Sequence, residues 1–123
     1  MKIFTLEEAN SLLPELRLLF LTIKAERAVL QRFAPEAKRA HKHASKGGGT
    51  EVGVRYAHAL FTVMEYLQRI HGLGVEIKDM ERGLCDFPAL HEGRVVYLCW
   101  LLGEDRIEWW HDLEAGFAGR QPL

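Results

Sequence analysis

The chain has 123 residues, of which 48% are hydrophobic and 27% charged, and its 16 Lys and Arg against 17 Asp and Glu give a net charge of −1. This length predicts one domain over residues 1–123, with a core large enough to fold without disulfides. No apolar run reaches the roughly 18 residues of a membrane span, and the N-terminus lacks the apolar block of a signal peptide. We therefore expect a cytoplasmic protein that makes no membrane contact.

The first half of the chain has helical periodicity, which predicts two antiparallel helices over about residues 5–45 and 50–72. The stretch TLEE at residues 5–8 has the form of a capping box at the start of the first helix. Pro14 should kink or restart this helix because proline has no N–H to donate, and Pro35 is a second expected bend or end.

The second half changes to the alternating pattern of half-buried strands, with turn residues between them. It predicts four strands over about residues 75–113, followed by a C-terminal tail at 114–123. The short turns predict an antiparallel meander. The predicted fold is therefore α+β, with a long antiparallel helical hairpin packed on one face of a four-stranded antiparallel β-meander.

The turns also predict a register that places a polar row in the helix-facing layer of the sheet. A three-residue loop at 91–93 puts Asp86 opposite Leu98, and a tight turn at 104–105 puts Leu98 opposite His111. Because neighbouring strands lie about 4.8 Å apart, Asp86 and His111 should be about 10 Å apart and unable to bond directly.

A buried carboxylate needs a partner, so Asp86, His111 and Asp79 are the candidate polar site. One interpretation is a structural network that ties the sheet to the helices. The other is a small acid–base or metal site, which would require perturbed pKa values. The pattern assigns no residue a catalytic role.

The opposite face of the predicted sheet is mixed in polarity, with an aromatic middle. Exposed apolar patches usually mark partner surfaces, and the candidates here are Phe87, Tyr97, Leu101 and Trp110. Cys85 and Cys99 are predicted to be cross-strand neighbours on this face. Two buried thiols are favoured over a metal site, because the four-ligand spacing of a zinc site is missing. We expect a homodimer formed either through the long hairpin or through this face.

Two arginines are candidates for binding an anion, namely Arg94 and Arg120, and Arg120 in the glycine-rich tail has a carboxylate as an alternative partner. The segment KRAHKHASK at 38–46 offers a weaker possibility, nucleic-acid binding, although a pI of 6.6 lacks the usual basic footprint. Within it, His41 and His43 favour a solvated basic turn over a metal site. The sequence contains no phosphate loop, nucleophile elbow or dinucleotide motif, and no specific motif indicates a cofactor.

Five stretches carry a family resemblance: FTLEEANSLLPELR, GVEIKD, GLCDFPAL, GRVVYLCWLLGE and IEWWHDLEAGFAGRQPL. Together they resemble the prokaryotic family catalogued as domain of unknown function 2203, over nearly the whole chain. Cys85 departs from the aliphatic residue that the family pattern suggests. The resemblance supports the predicted fold and supplies no mechanism.

Taken together, the residues favour a non-enzymatic module that interacts with proteins and self-associates. The alternative is a small metal- or anion-binding protein, or an enzyme, with its site around Asp86 and His111. Binding of nucleic acid through the 38–46 segment is the weaker alternative.

Overall fold

The computed structural model describes residues 1–44 and 51–123. In these ranges the chain forms three α-helices, α1 (Leu6–Ser11), α2 (Leu13–Ala44) and α3 (Glu51–Gly72). One sheet contains β1 (Glu76–Asp79), β2 (Leu84–His91), β3 (Arg94–Leu101), β4 (Trp109–His111) and β5 (Gln121–Pro122). None of the described helices is both long enough and apolar enough to cross a bilayer.

The N-terminal helices begin as the sequence predicts. The Thr5 side chain accepts the Glu8 N–H at 3.0 Å and Glu8 accepts the Thr5 N–H at 3.0 Å, which confirms the capping box. The predicted break near Pro14 is also found, because α1 ends before Leu12 and α2 starts at the next residue. At Pro35 a bend or an end was expected, and the helix does not end there. α2 continues through that proline to Ala44.

The predicted connection between the helices falls largely outside the described residues. The structure does not describe positions 45–50, which include Lys46. It also does not describe the side chains of His41, Lys42 and His43. The basic-segment hypothesis therefore stays a prediction. The second helix starts at Glu51 and ends at Gly72, close to the predicted bounds.

The strands form an antiparallel sheet in sequence order, β1-β2-β3-β4-β5. The four-stranded meander is present, and a fifth strand is added by the C-terminal tail, which pairs Gln121 with Trp110 and Pro122 with Trp109. This strand has only two residues, so its sequence has no alternation that could have predicted it.

The register of the sheet differs by one residue from the predicted register. β2 and β3 are joined by a two-residue turn, with Glu92 at φ 51° and Gly93 at φ 81°, so His91 pairs with Arg94. Left-handed backbone at both central residues is typical of a type I′ turn. The predicted three-residue loop is therefore wrong. A bulge at Asp79 shifts the first hairpin as well.

This shift changes which residues are neighbours. Asp86 lies opposite Cys99 instead of Leu98, and His111 lies opposite Tyr97 instead of Leu98. Because successive side chains alternate between faces, the side chains of β2 and of β4 lie on the face opposite to the predicted one, relative to β3. Asp86 and His111 still share a face, but it is not the face that packs on the helices.

Residues 1–20 and 69–123 form one compact unit, which contains the sheet. On the inner face of the sheet, Phe4 packs edge-on against Phe87 with ring centroids 5.4 Å apart, and Phe20 lies 6.4 Å from Trp100. The Phe4 N–H also donates to the Pro88 carbonyl at 2.7 Å, which attaches the N-terminus to β2. These rings form the centre of the apolar core.

Residues 21–68 form a second compact unit, made of the remaining parts of α2 and α3. Arg55 donates to both carboxylate oxygens of Glu26, at 3.0 and 3.2 Å, and this fork joins the two helices. The helices run antiparallel, as predicted. The single domain predicted for residues 1–123 stays a prediction.

Candidate polar site on three strands

Three adjacent strands each contribute one buried polar side chain to a cluster on the outer face of the sheet. Asp86 comes from β2, Cys99 from β3 and His111 from β4, and none of them is more than 2% exposed. Two features of the strand pairing place them together. Asp86 and Cys99 are direct cross-strand partners, and His111 enters from the next strand beside Tyr97.

The donor atoms of the cluster lie close together. The His111 Nε2 and Asp86 Oδ1 atoms are 3.0 Å apart, so the predicted separation of about 10 Å is wrong. The Cys99 thiol lies beside the Asp86 carboxylate and acts to lower the pKa of that carboxyl. One nitrogen, one sulfur and one oxygen, one from each residue, lie within 4.8 Å of one another. This is a compact set of three different metal-ligand types.

The hydrogen bonds of the histidine ring define its tautomer. The His111 Nδ1 atom lies 2.7 Å from the Asp112 carbonyl oxygen, which can only accept a hydrogen bond. Nδ1 must therefore carry a hydrogen. In a neutral imidazole, Nε2 is then an acceptor, and it points at a carboxylate oxygen, which is also an acceptor. A proton or a cation has to lie between these two atoms.

Burial changes the acidity of the cluster. It raises the pKa of Cys99 to about 12, so the thiol is not primed as a nucleophile. Burial also raises the pKa of Asp86, against the opposing effect of the neighbouring His111. A carboxylate held in such surroundings is stabilised by a positively charged or hydrogen-donating partner.

An ordered layer of polar side chains lies beside the cluster. The Tyr97 ring lies 5.5 Å from the His111 ring, and its hydroxyl donates to Glu76 at 3.0 Å. Lys78 bonds to the same Glu76 oxygen at 3.0 Å, with its ammonium 4.6 Å from the centre of the Tyr97 ring. These contacts limit the freedom of the His111 ring on that side.

The C-terminal tail covers the other side of the cluster. Arg120 donates two hydrogen bonds to the Glu104 carboxylate, at 2.9 and 2.6 Å, and a third to the Cys99 carbonyl at 3.2 Å. Its guanidinium lies 5.3 Å from the centre of the Trp109 ring. The positive charge of Arg120 thus already has a carboxylate partner in the same chain.

Several residues singled out in the sequence lie away from the cluster. Asp79 accepts the Arg82 N–H at 3.0 Å in the turn after β1, and its role is to shape that turn. Arg94 pairs with Asp112 at the surface, so this candidate anion-binding residue also has an internal partner. Cys85 is buried on the opposite face, which excludes the predicted pairing of Cys85 with Cys99.

The predicted interaction surface does not form a single patch. Phe87 and Trp110 are buried on the inner face of the sheet, with exposures of 0% and 7%. Tyr97 and Leu101 lie on the outer face and are partly exposed. The observed register places these four residues on two different faces of the sheet, and a partner for them stays a prediction.

Cys99 is the member of the cluster that reasoning from sequence missed. The signal that could have found it is the dipeptide Glu92-Gly93, because an X-Gly pair between two alternating strands is typical of a two-residue hairpin turn. That turn pairs His91 with Arg94, and counting back along the strands brings Cys99 opposite Asp86.

Comparison with known proteins gives one match. The family model described as "Uncharacterized conserved protein (DUF2203)" matches residues 2–123. The chain belongs to this family. No curated protein and no solved structure matches the chain. For this DUF2203 protein, the family description carries no activity, so a role for the cluster has to be argued from its chemistry.

Proposed function

We propose that this protein binds one divalent transition-metal ion of the zinc class through Asp86, Cys99 and His111, and that its role is non-enzymatic. The observation that carries the proposal is the approach of Nε2 of His111 to Oδ1 of Asp86 at 3.0 Å, beside a third potential ligand atom on Cys99. A metal ion takes the place of the proton that would otherwise have to separate them.

The spacing of the donor atoms suits three of the four ligand positions around a small tetrahedral ion. Ligand atoms around zinc lie about 3.3 Å apart for nitrogen and oxygen, and about 3.6 Å apart for sulfur and nitrogen, given metal bonds of about 2.0–2.3 Å. The N···O distance of 3.0 Å is close to this value, and no pair in the cluster exceeds 4.8 Å. Small side-chain rotations are therefore enough to bind the ion.

The charges of the cluster also suit a divalent ion. A thiolate from Cys99 and a carboxylate from Asp86 carry two negative charges, and a neutral His111 carries none. A divalent cation makes the buried site neutral, which is the condition that a low-dielectric interior favours. Mixed sulfur, nitrogen and oxygen donors favour zinc-class ions over magnesium or calcium.

The orientation of the histidine adds support. Metal-binding histidines usually donate their second ring N–H to a carbonyl or carboxylate, which fixes the tautomer and directs the free nitrogen at the metal. The contact from Nδ1 of His111 to the Asp112 carbonyl at 2.7 Å has this form. The same tautomer is what makes Nε2 available as a ligand.

The enclosure of the cluster favours binding over catalysis. Each of the three side chains is at least 98% buried, so a substrate has no direct access to them. An ion held between β2, β3 and β4 would cross-link the centre of the sheet, and the binding free energy would add to the stability of the fold. We therefore infer a structural or regulatory ion.

Titration of the metal-free protein with cobalt(II) tests the proposal. Cobalt occupies zinc sites and reports its ligands through absorbance. We expect one equivalent to bind, with a sulfur-to-cobalt charge-transfer band and the intense visible bands of a tetrahedral site. Cys99→Ser should remove the charge-transfer band, and Asp86→Asn should weaken binding at least tenfold, while circular dichroism shows that both variants remain folded.

Cys85→Ser is the matched control. It also removes a buried thiol from the sheet, but that thiol lies on the opposite face and should leave the cobalt spectrum unchanged. A folded wild-type protein that gives no charge-transfer band contradicts the proposal. The polar cluster would then be a structural network held by a shared proton.

A further inference from the structure

Helix α3 exposes an apolar stripe on the side away from its own buried residues Ala59 and Val63. The residues of this outer stripe follow one another at helical spacing and are Val54, Ala57, Leu60, Phe61 and Met64. The four large side chains are 68%, 43%, 66% and 54% exposed in chain order. An apolar face of this width on a helix normally packs against other protein.

The composition of the helix around the stripe also indicates a surface that packs against other protein. From Tyr56 to Met64 the sequence reads YAHALFTVM, nine residues without an acidic or basic side chain other than His58. The inward side of this segment is already used, since Ala59 and Val63 are buried. Depletion of charge on an outward face is typical of the core of a protein–protein interface.

We propose that the outer stripe is a contact surface for a second copy of this chain, with the two α3 helices antiparallel about a twofold axis near Leu60. In this arrangement the small Ala57 of each copy faces the large Phe61 of the other, and Val54 faces Met64. Because each pair combines a smaller with a larger side chain, the stripe is complementary to itself, as a twofold interface requires.

The exposed area fits such a contact. The four large side chains and Ala57 present on the order of 400 Å² of apolar surface, judged from their exposures and ordinary side-chain areas. A standard interface buries about 800 Å² on each partner, roughly half of it in an apolar core. The uncharged stripe offers no complement to a charged partner, so a second apolar stripe is the occupant that it fits.

Sedimentation equilibrium of the full chain tests this surface. We expect the wild type to be dimeric at micromolar concentration, and Phe61→Glu to be monomeric with unchanged circular dichroism. Leu21→Glu is the matched control, because Leu21 is a comparably exposed residue, at 54%, on α2. This variant should leave the dimer unchanged.

A cross-linking measurement tests the twofold axis. Leu60→Cys lies near the proposed axis and should form a disulfide-linked dimer under mild oxidation, whereas Leu21→Cys should not. A monomeric wild type, or a dimer dissociated by Leu21→Glu and insensitive to Phe61→Glu, overturns the proposal. The proposal does not rest on the metal site, so Cys99→Ser should remain dimeric.

Discussion

The contact between Asp86 and His111 requires a proton or a cation between its two atoms. Nδ1 of His111 is committed to the Asp112 carbonyl, and Nε2 faces the carboxylate at 3.0 Å. Both residues were singled out in the sequence as polar groups in a buried layer. The third residue of the cluster, Cys99, could not be assigned to it from residue type alone, because a small buried thiol is common in cores.

Substitutions at Asp86 separate the requirements of folding from those of metal binding. In chelator-treated protein, Asp86→Asn should change the free energy of unfolding by less than about 1 kcal/mol, because the amide can donate a hydrogen bond to Nε2 of His111. Asp86→Leu leaves that nitrogen without a partner and should cost about 1–3 kcal/mol. Urea denaturation monitored by tryptophan fluorescence measures both values.

An equal loss of stability in the two variants would contradict the assignment of Nε2 as an acceptor. The imidazole would then be protonated on both nitrogens, and the amide of Asp86→Asn would have to accept from it. The cobalt titration of the same two variants remains informative, because neither side chain supplies a carboxylate ligand.

At the level of elements, the lengths of the turns determine the register of the strands and which face each side chain lies on. Helical periodicity, strand alternation and turn residues were enough to predict the α+β class, the antiparallel helices and four of the five strands. The register depends on one residue in a turn, since the choice between two and three loop residues reverses the faces of a strand. The site could therefore be predicted as two residues, but not as a geometry.

Two glycines in left-handed conformation offer a paired test of this view. Gly93 has φ 81° and open space around it, so Gly93→Ala should cost only the backbone strain of about 1–2 kcal/mol. Gly83 has φ 69°, and an added Cβ would lie 2.6 Å from the Cβ of Leu102. Gly83→Ala should therefore be worse by about 1–3 kcal/mol.

Urea midpoints of the two variants, measured with the wild type, give the comparison. Equal losses of stability would contradict the close approach of Gly83 to Leu102. A gain in stability for Gly93→Ala would contradict the type I′ turn and, with it, the register that joins Asp86 to Cys99.

At the level of the whole molecule, the C-terminal tail completes the sheet unit. The large apolar side chains of the tail, Phe117 and Leu123, are 37% and 51% exposed, so their burial contributes little to holding the tail in place. The tail is instead attached by the backbone pairing of β5 and by the fork of Arg120 on Glu104. Polar contacts between distant segments leave no periodic signal in a sequence.

Removal of the Arg120 fork should destabilise the protein. Arg120→Ala leaves the Glu104 carboxylate, 26% exposed, without its ion-pair partner and should cost about 1–3 kcal/mol. Arg120→Lys should cost less, because it keeps the charge and loses the bidentate geometry. Arg94→Ala breaks a more exposed pair with Asp112, whose side chains are 54% and 44% exposed, and is the matched control with an expected loss below about 1 kcal/mol.

Thermal or urea unfolding ranks the three variants. If Arg94→Ala destabilised the protein as much as Arg120→Ala, the tail would have no special role in the sheet unit. Intact stability in Arg120→Ala would show that β5 alone attaches the tail.

The most direct test of the central claim is X-ray absorption at the zinc edge of the protein loaded with one equivalent of zinc. We expect one sulfur neighbour at about 2.3 Å and nitrogen or oxygen neighbours at about 2.0–2.2 Å, with the sulfur lost in Cys99→Ser and kept in Cys85→Ser. A shell of oxygen and nitrogen alone in the wild-type protein would contradict a metal site at Asp86, Cys99 and His111.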